Sequence, residues 1–238
     1  MKIRIGLLVG AVSLYLVCHI SSADAQNKKG TRRNPAVKQE ESTVAPATMV
    51  HGAGAIRQGS HALGVGLGFD FPEPLIYGVT YDYGLTDRLQ LGAAGSFAGF
   101  IGSVGLRSLY TFYKSPNAEG GRFYGGAGLF PSFIYLNALV ADVKLFTLAP
   151  RVIGELRLGS KKEFGIYGKL GTEHTYARVG IDGIGGFTAD GWAHQLRIGI
   201  GGQAAFTERI GGFLEVGSLV FFSGGPLFMN KIGVVFAF

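Results

Sequence analysis

Nine charged residues occupy alternate positions in stretches that are otherwise apolar. Five are cations and four are carboxylates: Asp82, Arg107, Arg151, Glu155, Arg157, Lys169, Glu173, Arg197 and Glu215. Successive side chains of a β-strand point to opposite faces, so these charges would project to one side and the large apolar residues to the other. Two kinds of chemistry are open to such a set. The charges pair with one another and fill an enclosed space, or they line a narrow water-filled path for small solutes.

The elements that would position these charges are strands with a period of two. Leu63, Val65 and Leu67 alternate with glycines, and similar alternation recurs about ten times between Ser60 and Phe238. The links after the even-numbered strands are short or polar, and those after strands three, five and seven are longer or more apolar. The pattern predicts ten antiparallel strands joined in sequence, with eight remaining possible. The interior of a closed sheet of eight strands is just wide enough for its own side chains, so little empty space is expected inside.

Composition alone would also allow membrane helices. The chain is 47% hydrophobic, and residues 89–106 and 123–141 carry no charge. High glycine density (40 residues), Pro131 and charges on alternate positions of the flanking segments oppose helices that face lipid. An inner-membrane helical protein is therefore the weaker interpretation.

The formal charge of +6 does not indicate a nucleic-acid partner. From Gly59 onward the chain has 14 basic and 13 acidic residues, so the excess lies near the N-terminus. Residues 26–59 are polar and basic, contain Pro35 and Pro46 and show no hydrophobic period, which predicts a disordered periplasmic arm. This arm is either a solvated spacer or a contact for peptidoglycan or anionic lipid.

Residues 1–25 have the pattern of a secretory signal peptide. Lys2 and Arg4 precede an apolar core, and Ala23-Asp24-Ala25 has the small-x-small spacing of a cleavage site. The one cysteine, Cys18, lies inside this segment. The predicted mature chain therefore has no thiol and cannot use disulfides or cysteine chemistry.

The last strand places large apolar residues on one face and ends on an aromatic residue. Its outward set is Ile232, Val234, Phe236 and Phe238. This ending resembles the C-terminal assembly signal of bacterial outer-membrane β-barrels, and residues 60–238 resemble the small barrels of OmpA-, OmpX- and OmpW-like architecture. No motif selects a subfamily.

The resemblance implies an all-β, closed antiparallel up-and-down transmembrane β-barrel in the bacterial outer membrane. It also implies contact with outer-membrane lipid and lipopolysaccharide, and recognition of the last strand by the barrel-assembly machinery. Aromatic residues that suit the headgroup region are expected to form a girdle: Tyr77, Tyr83, Tyr110, Trp192 and Phe238.

Enzymatic barrels of this kind carry recognisable residues that this chain lacks. Outer-membrane proteases use Asp and His at the outer rim. Here Asp182, Asp190 and His194 lie near one predicted outer loop and Asp70 near another, but the paired-Asp motif is missing and His194 falls on the outward register. Lipid A deacylase barrels need His-x-Ser, whereas this chain has His174-Thr175-Tyr176. No cofactor motif or metal-ligand spacing is found. The sequence predicts a protein that is not an enzyme.

Two functions remain open from the sequence. The first is a structural or surface-interaction barrel with a largely filled, salt-bridged lumen, and the alternative is a narrow porin-like channel for small solutes. The longest predicted loop, residues 178–191, contains Ile181, Ile184 and Phe187. These side chains bind a partner surface or pack on the barrel mouth, and the sequence does not separate the two.

Overall fold

A computed structural model describes residues 48–70, 76–98, 101–116, 121–138, 141–159, 163–181, 187–221 and 226–238. Within these ranges the regular elements are twelve β-strand segments. They are β1 His61–Asp70, β2 Ile76–Gly84, β3 Leu89–Ala98, β4 Ile101–Lys114, β5 Gly121–Leu129, β6 Ser132–Ala138, β7 Ala141–Leu148, β8 Pro150–Leu158, β9 Phe164–Ile181, β10 Phe187–Ala205, β11 Ile210–Phe221 and β12 Pro226–Ala237. No helix in the described part of the chain is long and apolar enough to cross a membrane.

The twelve segments form a closed barrel of ten strands. Segments β5 and β6 both pair with β4, and segments β7 and β8 both pair with β9, so each couple makes one interrupted strand. All pairings are antiparallel, and β12 pairs with β1 to complete the circle. The predicted closed up-and-down barrel is therefore confirmed, with ten strands and not eight.

The two interruptions lie side by side. Pro131, which has no backbone N–H to give to a ladder, separates β5 from β6, and Ala149 separates β7 from β8. The backbone remains bonded across the gap, because Leu106 N donates to Pro131 O (2.9 Å) and Phe130 N donates to Ala149 O (3.1 Å). The wall therefore stays closed where the strands bend.

Both ends of the barrel chain meet at one edge, which we name the terminal rim. There the backbones of His61 and Phe238 bond to each other in both directions, at 3.2 and 3.0 Å. Two tight turns at this rim have similar sequences, Thr86-Asp87-Arg88 and Thr207-Glu208-Arg209. In each, the Thr hydroxyl accepts the N–H of the residue that starts the next strand, at 3.0 Å. The opposite edge is named the far rim.

The outer face of the barrel is apolar. Exposed side chains occupy the predicted outward positions on most strands, for example Leu63, Val65 and Leu67 on β1. A bulge in β4 between Thr111 and Tyr113 exposes both Phe112 and Tyr113. The alternation read from the sequence thus gives the facing of most strands. On β5 the structure shows that Phe123 points outward and Tyr124 inward.

The prediction of a long loop at residues 178–191 is wrong for most of that range. Strands β9 and β10 continue through it, with Arg178 paired to Asp190 and Ile181 paired to Phe187. Strand β7 also pairs with β9 up to Ile181, so the extension is bonded on both sides. Residues 182–186, including Ile184, lie outside the described residues.

The predicted arm also differs from the structure where the structure describes it. Residues 48–56 lie inside the barrel, where Met49, Val50, Ala53 and Ile56 are buried, and Arg57 and Gln58 after them are exposed. The buried residues are small or apolar and carry no carboxylate or ammonium group, so burying them removes little charge from water. The signal peptide and the rest of the arm, residues 1–47, lie outside the described residues and remain predictions.

Candidate functional site

The structure places all nine alternating charges inside the barrel and joins them in five ion pairs. The pairs are Arg107–Asp82 at 3.1 Å, Arg151–Glu173 at 2.9 Å, Arg197–Glu173 at 2.6 Å, Arg157–Glu155 at 2.8 Å and Lys169–Glu215 at 2.6 Å. All the partners stand on different strands except Arg157 and Glu155, which are two residues apart on β8. The charges therefore form a network across the lumen, and it divides into two layers.

The layer near the terminal rim centres on the fully buried carboxylate of Glu155. One of its oxygens accepts hydrogen bonds from Arg157 Nε (2.8 Å) and Gln203 Nε2 (2.6 Å), and the other accepts the backbone N–H of Gly54 (2.9 Å). Arg157 in turn donates to the carbonyls of Gly54 (2.8 Å) and Met49 (3.3 Å). Its guanidinium also lies 4.7 Å from the centre of the Tyr124 ring. The pair thus binds the backbone of the inner segment.

That inner segment, residues 48–58, is named the re-entrant loop. Thr111 donates its hydroxyl to Ala53 O (2.7 Å) and accepts Ala55 N–H (2.9 Å). Gln90 accepts the N–H of Ile56 at 3.3 Å. Side chains from the barrel wall therefore satisfy backbone groups that a buried irregular segment would otherwise leave unpaired.

Both described ends of the loop lie at the terminal rim. At one end Thr48 packs against Gly211, beside the turn that precedes β11, and at the other Gly59 bonds to Gly84 (2.8 Å). Between these ends the ring of His51 reaches deeper and stacks on Phe213, with centroids 3.7 Å apart. The loop occupies the half of the lumen next to the terminal rim without passing through the barrel.

In addition to the hydrogen bonds, apolar packing holds the loop in place. Ala53 joins a buried cluster with Leu109, Tyr124, Ile153 and Tyr167. On the other side of the lumen, buried Val50 and Ile56 join Ala62 and Val235, with Phe213 packed against them. Burial of these groups supplies a driving force that the hydrogen bonds alone would not give.

The far half of the lumen contains a cavity of about 400 Å³, which we name the chamber. The prediction of a crowded lumen is thus accurate for one half of the barrel and wrong for the other. One wall consists of glycines and small polar residues of β1 to β4: Gly64, Gly66, Gly68, Gly78, Thr80, Ser96, Ser103 and Gly105. The rest of the wall carries charges from the later strands, of which Lys231 is paired with Gly68: Arg151, Lys169, Glu173, Arg197, Glu215 and Lys231.

The chamber's charges are more accessible than those around Glu155. A single Glu173 oxygen accepts hydrogen bonds from both Arg151 and Arg197. One Glu215 oxygen accepts hydrogen bonds from Lys169 and from the hydroxyl of Tyr167 (3.2 Å). These charged side chains retain 10 to 15% of their accessible surface, against 1% or less for Arg157 and Glu155. They face a cavity, whereas Glu155 faces a packed segment.

The predicted girdle residues lie on the outside, near the two rims. Tyr110 and Phe238 are exposed at the terminal rim, where half-buried Tyr83 lies 4.9 Å from the ring of His61. Tyr77 and Trp192 are exposed toward the far rim. Trp192 ends a row of directly paired aromatics across four strands, which runs Phe133, Phe146, Tyr176, Trp192.

A charged row lies next to this aromatic row on the far-rim side. Lys144, Arg178 and Asp190 are paired side by side across β7, β9 and β10. The change from aromatic to charged side chains in one step is typical of a membrane–water boundary.

The predicted assembly residues all point outward on β12. Ile232, Val234, Phe236 and Phe238 are exposed, while Val235 and Ala237 between them are buried. Strand β12 lies between β11 and β1 and pairs with both.

The candidate catalytic residues weighed from the sequence do not form a site. His174 and His194 contact each other through their Nδ1 atoms (2.8 Å) on the outer face, and Asp190 accepts the hydroxyl of Tyr176 (2.5 Å). Among the described residues no three His, Cys, Asp or Glu side chains cluster as metal ligands. Asp182 and the side chain of Asp70 lie outside the described residues.

Sequence reasoning missed several lumen residues that hold the loop. Gln90, Thr111, Tyr167 and Gln203 are buried and point inward at positions that the alternation already assigns to the lumen. A search for all inward polar residues, not charged ones alone, would have found them. The loop itself had only a weak signal, the uncharged run from Thr48 to Ile56.

The chain was compared with known proteins by sequence and by structure. No family model and no curated protein matches the chain. Solved structures that match include the N-terminal β-barrel domain of Pseudomonas aeruginosa OprF (16% identity, 76% of this chain and 98% of that one, TM-score 0.39). The KdgM porin also matches (9%, 74% and 99%, TM-score 0.38), as does the outer membrane protein OprG from Pseudomonas aeruginosa (15%, 79% and 99%, TM-score 0.33). At these identities and TM-scores the likeness assigns neither a subfamily nor a function.

Proposed function

We propose that this chain is an outer-membrane β-barrel whose lumen is closed by its own re-entrant loop. In this role the barrel is a structural or surface-interaction protein and not an open pore. The proposal depends on one observation: residues 48–56 fill the terminal-rim half of the lumen and are bonded there by Glu155, Arg157, Thr111 and Gln90.

The outer face supports a membrane location. Large apolar side chains are exposed around the whole barrel, a surface that a soluble monomer would not leave in water. An even strand number with both ends of the barrel at one rim is typical of outer-membrane barrels, in which that rim faces the periplasm. The terminal rim is then periplasmic, and the chamber lies toward the cell exterior.

The non-enzymatic role is supported by where the titratable side chains lie. His174 and His194 point to the outer face, and the carboxylates of the lumen are used in ion pairs. His51 borders the chamber together with Glu173 and Glu215, and both of these carboxylates are held in ion pairs.

A channel is the second candidate, and the path of the loop favours it. Because both described ends of the loop lie at the periplasmic rim, it can withdraw without being unthreaded from the barrel. Its removal would join the chamber to the periplasm and leave a passage lined by the ion pairs.

Single-channel recording in planar bilayers separates the two candidates. The chain without residues 1–25 should give no steady conductance, whereas replacement of residues 48–56 by a Gly/Ser segment of equal length should open one. The same replacement at residues 30–38 is the matched control and should stay silent. Folding of each variant is checked by the mobility difference between heated and unheated samples in detergent gels.

Steady openings of the unaltered protein would overturn the closed barrel and favour a constitutive channel. Silence of a folded variant with the replaced loop would show that the ion network, not the loop, closes the lumen.

The remaining partners are proposed from the surfaces that suit them. Lipid and lipopolysaccharide fit the apolar belt and the charged row of Lys144 and Arg178. The outward face of β12 fits the barrel-assembly machinery, and the basic residues before Pro46 fit peptidoglycan. Membrane fractionation is the direct check: recovery of the chain with inner-membrane markers would contradict the outer-membrane location.

A further inference from the structure

The chamber has the shape of a small-molecule site. Its volume of about 400 Å³ lies within the range of about 300–1,000 Å³ that ligand pockets occupy. It is enclosed by wall residues from most of the strands, with His51 of the re-entrant loop among them. A solute that enters from the far rim would therefore meet the loop and stop.

The charge of the wall selects the sign of that solute. Five cations line the chamber, Arg107, Arg151, Lys169, Arg197 and Lys231, against the two carboxylates Glu173 and Glu215. Leaving Lys231 aside and counting also Asp82, which pairs with Arg107 from just outside the chamber, the described residues around the chamber comprise four cations and three carboxylates. In a space with low-dielectric walls this excess attracts anions and repels cations.

The geometry of two arginines suits a planar or tetrahedral oxyanion. Arg151 and Arg197 converge on one oxygen of Glu173, so their guanidinium groups lie close together at one side of the chamber. Arg151 Nε is buried without a hydrogen-bond partner among the described residues. Guanidinium groups bind carboxylate and phosphate through two parallel hydrogen bonds, which an ammonium cannot do.

The opposite wall offers hydroxyls and open space. Thr80 Oγ1 is buried and has no partner within the described residues, and Ser96 and Ser103 share a hydrogen bond of 2.6 Å. Gly78 leaves room beside them, since an added Cβ there would meet nothing nearer than 3.9 Å. A ligand held by arginines on one side would meet hydroxyl groups on the other.

We propose that the chamber binds a small polyhydroxylated anion, a sugar that carries a carboxylate or a phosphate group. The arginine pair takes the anionic group, and the Thr80, Ser96 and Ser103 wall takes the ring hydroxyls. This site is independent of whether the loop closes the lumen permanently or withdraws, because it lies wholly on the far side of the loop.

Calorimetric titration of the refolded chain in neutral detergent tests the site with three probes that share one ring. Glucuronate supplies a carboxylate, glucose 6-phosphate supplies a phosphate, and glucose is the neutral control. We expect saturable binding of at least one anion, binding that weakens as NaCl is raised, and no binding of glucose. The stronger of the two anions identifies the preferred group.

Two substitutions and a matched control locate the site. Arg151→Gln and Arg197→Gln should each weaken binding about tenfold, the loss expected for one charge-assisted contact. Arg209→Gln removes the same charge from an exposed turn at the terminal rim and should leave binding unchanged. Glu173→Gln should strengthen binding severalfold, because it releases both arginines from their internal carboxylate. A purely structural ion pair would not produce that gain.

Absence of binding by a folded, unaltered chain would overturn the proposal. Equal loss in Arg151→Gln and Arg209→Gln would also overturn it, since that result shows attraction to overall charge. Binding of glucose with the same affinity as glucuronate would contradict the role of the arginines. None of these outcomes depends on conductance, so the closed-barrel proposal can fail or hold separately.

Discussion

The two halves of the lumen contain the same kinds of residue and use them differently. Near the terminal rim, Glu155 and Arg157 have 1% or less of their side-chain surface accessible, and their hydrogen bonds go to the loop backbone. In the far half, Arg151, Glu173 and Arg197 keep 10 to 15% accessible and border a cavity. The same ion-pair chemistry therefore fixes a segment in one half and lines a space in the other. What differs is whether a third group fills the volume between the charges.

The sharpest test of this comparison removes one carboxylate from each half. Glu155→Gln leaves Arg157 buried without its counter-ion and places an amide N–H₂ among donors, so we expect a loss of about 3–5 kcal/mol in the free energy of unfolding. Glu173→Gln should cost only about 1 kcal/mol, because Arg151 and Arg197 can be solvated through the chamber. Urea unfolding in detergent, followed by loss of heat-modifiable mobility, measures both.

Equal losses for the two variants would show that the chamber does not relieve its charges. The distinction between the halves would then rest on shape alone.

A second pair of substitutions probes packing in place of charge. The Cβ added by Gly54→Ala would lie 2.6 Å from Arg157 Nη2 and 3.0 Å from Tyr124, so the loop or the arginine must move. We expect a loss of about 1–3 kcal/mol, as for other overpacked sites. Gly78→Ala adds the same methyl to the chamber wall, where there is room, and should change stability by less than about 0.5 kcal/mol.

Thermal unfolding of the two alanine variants gives the comparison. A destabilised Gly78→Ala variant would mean that the chamber is smaller in solution than in the structure.

The smallest expected effect is a pH dependence of the loop. Burial, reinforced by the positive charge of Arg107, holds the pKa of His51 well below its ordinary value of 6.5. The other charged groups that act on it are Lys169 and Lys231, which lower the pKa, and Glu215, which raises it. A displaced loop would regain the ordinary pKa and take up a proton. The contribution of His51 to docking is therefore complete above about pH 6.5 and is lost as the pH falls.

A single thiol can report this change, since the predicted mature chain has no cysteine. Val50→Cys replaces a buried side chain by one of similar size, and its rate of alkylation measures exposure of the loop. Between pH 7.5 and pH 5 we expect relative exposure to rise several-fold with His51 present. The alkylation rate of the Val50→Cys variant is divided by that of the Val50→Cys, His51→Gln double variant at the same pH. This ratio removes the pH dependence of the labelling chemistry. A ratio that does not change with pH would exclude His51 as a determinant of docking.

Local patterns were sufficient for the wall of the barrel. The alternation from Leu63 to Phe238 predicted which side chains face out, how many strands form and which nine charges face in, because a period of two is a property of each strand alone. It failed for residues 178–191. Pairing of β9 with both β7 and β10 extends the strands beyond the point where their own sequence would place a loop.

The sequence by itself determined a barrel with an apolar outside, an ionic inside and a distinctive last strand. Only the tertiary structure decided that residues 48–56 enter the lumen and that the far half stays open. The physical reason is the large sequence separation between the loop and the residues that bind it. The N–H of Gly54 meets a carboxylate 101 residues away, and the carbonyl of Met49 meets a guanidinium 108 residues away. No periodicity near residue 50 records such partners, because they exist only once the ten strands have closed around the loop.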